Sequence, residues 1–189
     1  MYTNFIEDFL SLEECNTIIE LGKTSGLEKM TSAKFVNGAY KEVRLNEDTN
    51  KRKGCYFTDD ILKNKLISSI SEKTIQLLNT LKVLNGVEYT GVPKYSFNEY
   101  SAGDFLTWHS DSHEIMYGAT LTVIFQLNSE YTDGDIMYMV EGLEYSVPKK
   151  TGSIFIFDSN ILHSVKETKE GIRYSLNVWP SSKIKRSVI

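Results

Sequence analysis

The feature that most constrains the fold of this 189-residue chain is a series of short β-rich segments in its second half. Beyond about residue 84, runs rich in β-branched and aromatic residues alternate with turn sequences such as Ala102-Gly103-Asp104. Eight strands are predicted, at residues 87–92, 94–100, 105–111, 120–128, 136–140, 143–147, 153–158 and 172–179. Many short strands separated by turns are typical of an antiparallel sandwich, a jelly roll or a barrel.

The first half of the chain has a more helical character. Ser11 followed by Glu14 has the form of a capping box, and the apolar residues after it recur at near-helical spacing, so a helix is predicted there. A second helix is predicted over residues 58–81. The polar stretch at 32–54, between the two helices, is expected to be part strand and part loop.

Length and composition fit one globular domain over residues 1–189, with a helical N-terminal part at about 1–83 and a β-core at about 84–180. No apolar run is long enough to cross a bilayer, and the acidic N-terminus lacks the pattern of a secretory signal. We therefore expect a cytoplasmic protein without a membrane partner. The net charge of −4 gives no broad basic surface, which disfavours nucleic acid as a partner. The sequence does not indicate an oligomeric state.

The two cysteines match neither a metal-binding spacing nor a disulfide framework. Cys15 lies in the first helical pattern, where we expect it to be a small buried apolar residue. Cys55 follows Lys51, Arg52 and Lys53, a basic stretch that would lower the pKa of its thiol. Without a nearby general base, redox catalysis is disfavoured.

All three histidines of the chain fall in the β-rich half, and two of them complete a metal-ligand pattern with an aspartate. His109 and Asp111 lie two residues apart in a predicted strand, so their side chains point to the same face. His163, after the predicted strand at 153–158, is the remaining histidine that lies far enough away to be a third ligand. Two imidazoles and one carboxylate form the facial triad that holds iron(II) and leaves other coordination positions open.

An isolated His-x-Asp tripeptide arises often by chance, and the alternative is a surface hydrogen bond between the two side chains. The strand at 172–179 adds to the pattern, because Arg173, Ser175 and Asn177 share one of its faces. The strand at 120–128 shows a similar division between its two faces. Two such strands can line a polar pocket, although a solvent-exposed polar face remains the alternative. An arginine in such a pocket is suited to binding a carboxylate.

These motifs together resemble the prolyl 4-hydroxylase-type 2-oxoglutarate/iron(II) oxygenase superfamily. The resemblance rests on Tyr100, Gly103, the His109-x-Asp111 pair, His163 and Arg173, and it covers most of the chain. It implies an α+β fold with a mainly β core, a double-stranded β-helix (jelly roll) with N-terminal flanking helices. It also implies a metal site of His109, Asp111 and His163.

The resemblance further implies that Arg173 grips the distal carboxylate of 2-oxoglutarate, while Tyr100, Thr122 and Asn177 contact this cosubstrate and Gln126 is a fainter candidate. The implied cofactors are Fe(2+), 2-oxoglutarate and O2, with ascorbate in a supporting role. The implied reaction is hydroxylation of an unactivated C–H bond, with succinate and CO2 as products. The implied substrate is a prolyl residue in a peptide or protein, and the alternative is a free amino acid, another small molecule or a nucleobase.

The sequence departs from the family pattern in two places. Collagen-type prolyl hydroxylases usually carry lysine as the anchor, whereas Arg173 resembles the oxygen-sensing and bacterial branches. The frequent Gly-Gly before the next strand is Gly134-Asp135 here. Both departures bear on the substrate rather than on the iron chemistry.

Several residues and functions allow a second interpretation. His113 could pair with His109 in a zinc site if this segment were helical, but we expect a loop or rim residue. Arg44 is equally consistent with a place near the substrate and with a surface position. Trp108 and Trp179 are predicted to lie in the core, and Tyr138 and Tyr145 to be structural or rim aromatics. Within the same fold, a non-catalytic cupin-like metal-binding protein and a nucleic-acid demethylase remain as other functions.

Overall fold

The computed structural model describes residues 1–30, 32–36, 39–43, 50–81, 87–92, 94–111 and 120–184. Its three helices are α1 (Leu12–Thr24), α2 (Asp59–Leu62) and α3 (Lys65–Leu81). The strands before residue 84 are β1 (Thr3–Ile6), β2 (Glu28–Lys29), β3 (Ser32–Val36), β4 (Ala39–Val43), β5 (Asn50–Lys51) and β6 (Lys53–Tyr56). The later strands are β7 (Val87–Gly91), β8 (Tyr95–Tyr100), β9 (Phe105–His109), β10 (Leu121–Gln126), β11 (Tyr131–Asp133), β12 (Ile136–Val140), β13 (Leu143–Ser146), β14 (Ile154–Asp158), β15 (His163–Val165), β16 (Thr168–Gly171), β17 (Arg173–Val178) and β18 (Ser181–Ile184).

Two antiparallel sheets form the β-core. The larger sheet has seven strands in the order β1-β14-β10-β17-β8-β6-β2, and the smaller has five in the order β13-β12-β15-β9-β5. Rings of the two sheets meet where Phe157 of β14 packs edge-on against His163 of β15, with 4.7 Å between ring centroids. The mainly β core, with helices in the N-terminal part, confirms the predicted fold class. Among the described helices, none combines the length and apolar character that a membrane crossing would need.

The seven-stranded sheet uses its two faces differently, because side chains alternate along each strand. Val123, Phe125 and Leu176 point outward into the main apolar core, where they meet buried residues of α1 and α3. Helix α1 approaches the seven-stranded sheet closely, since a Cβ added at Gly22 would collide with the ring of Phe97 on β8. The opposite face carries the polar side chains of β8, β10 and β17 and looks toward the five-stranded sheet.

The first predicted helix is confirmed together with its start. The Ser11 hydroxyl accepts from the Glu14 backbone N–H at 3.1 Å, and the Glu14 carboxylate accepts from the Ser11 N–H at 2.8 Å, which completes the capping box. Cys15 is buried as expected, and burial raises the pKa of its thiol to about 11. The expectation for Cys55 is wrong, because its burial raises the thiol pKa rather than lowering it.

The second predicted helix is interrupted. The structure has two helices, α2 and α3, on either side of Lys63 and Asn64. The Asn64 side chain accepts from the Leu66 backbone N–H at 2.9 Å, so it caps a new helix where apolar spacing alone predicts continuity. The eight predicted strands are all present, with ends shifted by at most a few residues.

Candidate active site

Three side chains that the sequence singled out lie together at the ends of two neighbouring inner strands of the five-stranded sheet. His109 is the last residue of β9 and is paired directly with His163, the first residue of β15. Asp111 follows two residues after the end of β9, so the predicted strand through Asp111 is shorter than expected. One potential ligand atom from each of the three residues lies within 4.8 Å of the others.

Both imidazoles are oriented by backbone carbonyl groups. The Nδ1 atom of His109 is 2.9 Å from the Thr107 carbonyl oxygen, and Nδ1 of His163 is 3.0 Å from the Ile161 carbonyl oxygen. Each ring therefore presents Nε2 toward Asp111: Nε2 of His109 lies 3.8 Å from Oδ1, and Nε2 of His163 lies 3.8 Å from Oδ2. A carbonyl group at Nδ1 fixes the tautomer in which Nε2 has a free lone pair.

The Asp111 carboxylate is held by two donors at one of its oxygens. The Thr122 hydroxyl donates to Oδ2 at 2.8 Å, and the Trp179 indole N–H donates to the same oxygen at 3.1 Å. Burial alone would raise the pKa of Asp111, but His163, His109 and these two donors together lower it. The carboxylate therefore stays ionised, and its Oδ1 atom has neither of these two donors.

The pKa of His109 lies well below its usual range, mainly because of burial and the neighbouring His163. A neutral imidazole and an ionised carboxylate are the protonation states that metal binding requires. Two imidazole nitrogens and one carboxylate oxygen, all converging on one point, fit iron(II) by the chemistry of the donor set.

Arg173 lies on the polar face of β17 and is almost completely buried, with 1% of its surface exposed. One Nη atom donates to the Ser175 hydroxyl at 3.3 Å, and the guanidinium carbon is 4.9 Å from the centre of the Tyr100 ring. Its Nε atom is buried without a hydrogen-bond partner, and no carboxylate of the described chain forms an ion pair with it. Because burying a charge without a counter-ion is costly, this cradle fits a carboxylate ligand such as that of 2-oxoglutarate.

The family comparison agrees with this arrangement. The family model described as "2OG-Fe(II) oxygenase superfamily" matches residues 95–181, which include the three ligand candidates and Arg173. The β-core is of the 2OG-Fe(II) oxygenase type. The resemblance to this superfamily is thereby confirmed over these residues. No protein with a curated function gives a significant sequence match.

Solved structures show the same fold over nearly the whole chain. A Pseudomonas putida prolyl-4-hydroxylase superposes with a TM-score of 0.72 at 15% identity, over 95% of this chain and 91% of that one. A viral collagen prolyl hydroxylase from Paramecium Bursaria Chlorella virus-1, in its 2OG complex, gives 0.67 at 17% identity, over 96% and 97% of the two chains. A Trichoplax adhaerens prolyl hydroxylase, in complex with a hypoxia inducible factor oxygen degradation domain peptide fragment, gives 0.68 at 18% identity, over 95% and 83%. At these identities the likeness establishes the jelly-roll fold.

The remaining cosubstrate candidates lie on the polar face, but with different partners. Tyr100 is buried opposite Arg173, and Asn177 has a buried amide oxygen without a hydrogen-bond partner. Thr122 contacts Asp111 and lies 3.2 Å from the Ser159 hydroxyl, so its observed contacts are at the metal end. The Gln126 amide donates to the Pro148 carbonyl oxygen at 2.7 Å.

Sequence reasoning missed three contributors to this candidate site. Trp179 was predicted to be core; it is buried, but it also donates to Asp111. Tyr131 is close to the anchor: burial raises the pKa of its hydroxyl, and an electrostatic attraction and a hydrogen bond from Arg173 partly offset that effect. Arg52 donates to the Tyr100 hydroxyl at 3.1 Å. The alternation of side chains along β17 gave no signal for Tyr131 and Arg52, because Tyr131 lies on β11 and Arg52 lies between β5 and β6.

Other expectations concern residues around the site. Trp108 is 38% exposed, so its predicted place in the core is wrong. Tyr138 and Tyr145 stack at 5.3 Å between ring centroids, and Tyr138 is paired with His163, which agrees with a rim position. His113 and Arg44 lie outside the described residues, and their suggested roles are not tested by the structure.

Proposed function

We propose that the protein is a 2-oxoglutarate- and Fe(II)-dependent dioxygenase that hydroxylates an unactivated C–H bond and forms succinate and CO2. The observation that carries the proposal is the combination, between the two sheets, of a convergent His109–Asp111–His163 cluster and the buried Arg173. A structural role for the arginine would call for a counter-ion within the protein. No such carboxylate is found among the described residues.

In this proposal His109, Asp111 and His163 hold iron(II). Bound iron with 2-oxoglutarate and oxygen supplies oxidative decarboxylation and the insertion of oxygen into a C–H bond. The protein contributes positioning. The carbonyl groups at Thr107 and Ile161 keep the two imidazoles turned inward.

The cosubstrate is oriented from the opposite end of the pocket. Arg173 offers a buried cation that binds the distal carboxylate, and the buried Tyr100 beside it presents a hydroxyl to the same region. Asn177, whose buried amide oxygen has no hydrogen-bond partner, lies on β17 between this anchor and the metal ligands. These groups fix the cosubstrate along the sheet and exclude water from it.

The proposed substrate is a prolyl residue in a peptide or protein. Support comes from the three similar structures, all described as prolyl hydroxylases, one of them with a bound peptide fragment. A free amino acid, another small molecule or a nucleobase is the alternative within the same chemistry. A non-catalytic metal-binding protein is the alternative outside it.

The test is an anaerobic titration of the iron(II) protein with 2-oxoglutarate, followed by a succinate assay in oxygen with and without ascorbate. We expect a metal-to-ligand charge-transfer band that is lost in Asp111→Ala and weakened in Arg173→Ala. Asp60→Ala is the matched control, because its side chain is 95% exposed and lies on α2, away from the site. If the wild-type protein shows neither the band nor 2-oxoglutarate binding, the enzyme proposal fails.

A further inference from the structure

A second arginine lies beside the same tyrosine as Arg173. Arg52 is the residue between β5 and β6, at the point where the chain passes from one sheet to the other. β5 pairs with β9, the strand that ends at His109, whereas β6 pairs with β8, the strand that ends at Tyr100. The position of Arg52 therefore follows from strand pairing on both sides of it.

The side chain of Arg52 points into the pocket. Its neighbour Lys53 is paired with Glu99 and forms an ion pair with it at 3.9 Å, with 57% of the lysine side chain exposed. Because side chains alternate along a strand, Arg52 takes the opposite face and meets Tyr100. Arg52, Tyr100 and Arg173 form a row across three neighbouring strand positions, with guanidinium carbons 5.8 and 4.9 Å from the tyrosine ring centre.

The polar atoms of Arg52 are only partly used by the protein. One Nη atom donates to the Tyr100 hydroxyl at 3.1 Å, which leaves the hydroxyl proton of Tyr100 for another acceptor. The Nε atom is buried and has no hydrogen-bond partner, and in the described part of the chain no carboxylate forms an ion pair with this guanidinium.

In the proposed complex, the charges of the metal, its ligand, the cosubstrate and the anchor balance without Arg52. Iron(II), the Asp111 carboxylate, the 2-oxoglutarate dianion and Arg173 are together neutral, so the second guanidinium has no counter-charge from metal or cosubstrate. We infer that Arg52 is a specificity-determining residue that binds a carboxylate of the substrate, an inference that rests on the proposed function. The inference therefore favours the alternative substrate given above, a carboxylic acid such as a free amino acid, over a prolyl residue inside a neutral peptide segment.

The experiment compares acids with their own primary amides. Cyclic and aliphatic free L-amino acids, L-proline among them, and the matching amides such as L-prolinamide are tested for stimulation of 2-oxoglutarate-dependent succinate formation. The same pairs are titrated calorimetrically into the manganese(II)-loaded protein with 2-oxoglutarate bound, a readout that needs no turnover. We expect at least one acid to bind roughly tenfold or more tightly than its amide, the effect expected of a hydrogen bond between charged groups.

Three variants assign that preference to the residue. Arg52→Gln should remove the preference for the acid while 2-oxoglutarate affinity changes less than about threefold, and Arg52→Lys should retain part of it. Lys53→Gln is the matched control, because it removes the same charge one residue away on the outer face and should leave the preference intact. The acid–amide comparison in the wild-type protein remains decisive even if a variant does not fold.

The outcomes separate the two proposals. If 2-oxoglutarate itself does not bind to the manganese(II) protein, the proposed function fails and the inference falls with it. If 2-oxoglutarate binds but amides bind as well as acids, or no acid binds, the inference alone is overturned. Loss of 2-oxoglutarate affinity in Arg52→Gln comparable to that in Arg173→Gln would also overturn it, since Arg52 would then serve the cosubstrate.

Discussion

The two ends of the pocket satisfy their polar groups in different ways. At the metal end, both imidazole Nδ1 atoms contact carbonyl groups and one Asp111 oxygen accepts two hydrogen bonds, so the protein itself holds every ligand candidate in place. At the anchor end, Arg173 is equally buried, but its Nε atom has no partner among the described residues.

This difference separates preorganisation from recognition. The proposed metal ligands are held in place by the protein alone, whereas the buried guanidinium has the Tyr100 ring and the hydroxyls of Ser175 and Tyr131 beside it but no carboxylate among the described residues. If Arg173 is the anchor as proposed, the pocket sacrifices stability there for affinity toward an anion, a trade that is common at functional sites. Mutations at the two ends should therefore affect stability and binding in opposite proportions.

The largest effect is expected at the anchor. Replacing Arg173 with Gln should weaken 2-oxoglutarate binding roughly 100-fold, because hydrogen bonds between charged groups contribute about 1.5–3 kcal/mol each. The free energy of unfolding without ligand should stay within about 1 kcal/mol of the wild-type value or increase, because an unpaired buried charge is removed. Calorimetric titration and urea unfolding measure the two quantities.

Arg173→Lys is the control for this prediction, because it keeps the charge but loses the planar fork. Its affinity for 2-oxoglutarate should lie between those of the wild-type and Arg173→Gln proteins. A strongly destabilised Arg173→Gln protein would contradict the comparison, since the guanidinium would then be a structural element. Equal affinity for 2-oxoglutarate in all three proteins would remove the anchor role.

An intermediate effect is expected at the metal end. Trp179→Phe removes one of the two donors to Asp111 and should lower metal affinity by about 10- to 100-fold, the usual range for an outer-shell hydrogen bond. Metal binding is measured by competition with a chromogenic chelator. Trp108→Phe changes an indole that is 38% exposed and serves as the matched control. If both variants bind metal as the wild type does, the Thr122 hydroxyl alone suffices to position Asp111.

The smallest effect concerns pH in the metal-free protein. Because the pKa of His109 is lowered in the folded state from 6.5, the unfolded chain binds this proton first as the pH falls. Stability should therefore be unaffected by His109 above about pH 6.5 and should fall below it, by about 1 kcal/mol at pH 5.5. Urea unfolding at several pH values in the presence of a chelator measures this dependence. The His109→Asn protein should show a flatter profile, and an equally steep one would contradict the assignment to His109.

Much of the architecture follows from local patterns in the sequence. The capping box before Leu12 and the alternation in the strand at 172–179 are properties of neighbouring residues, and both predictions are confirmed. The convergence of His109, Asp111 and His163 was expected from residue types and spacing, and the structure brings their ligand atoms together.

The remainder depends on contacts that are distant in the sequence. The sequence around Trp179 does not predict its hydrogen bond to Asp111. Burial places the ring, but the direction of the indole N–H depends on Asp111, which is distant in the sequence. The pKa of Cys55 depends on its burial rather than on its basic neighbours in the sequence. Arg52 is brought to Tyr100 by pairing with two different strands, which no short motif encodes.

The direct pairing of His109 with His163 also bears on how the protein matures. These residues lie on strands that are far apart in the chain, with the whole of β10 to β14 between them. Contacts of such long sequence separation form late in folding, because chain closure must come first. If these three residues hold iron as proposed, an incomplete chain emerging during synthesis would present His109 and Asp111 without their third partner, and metal binding would follow closure of the β-core.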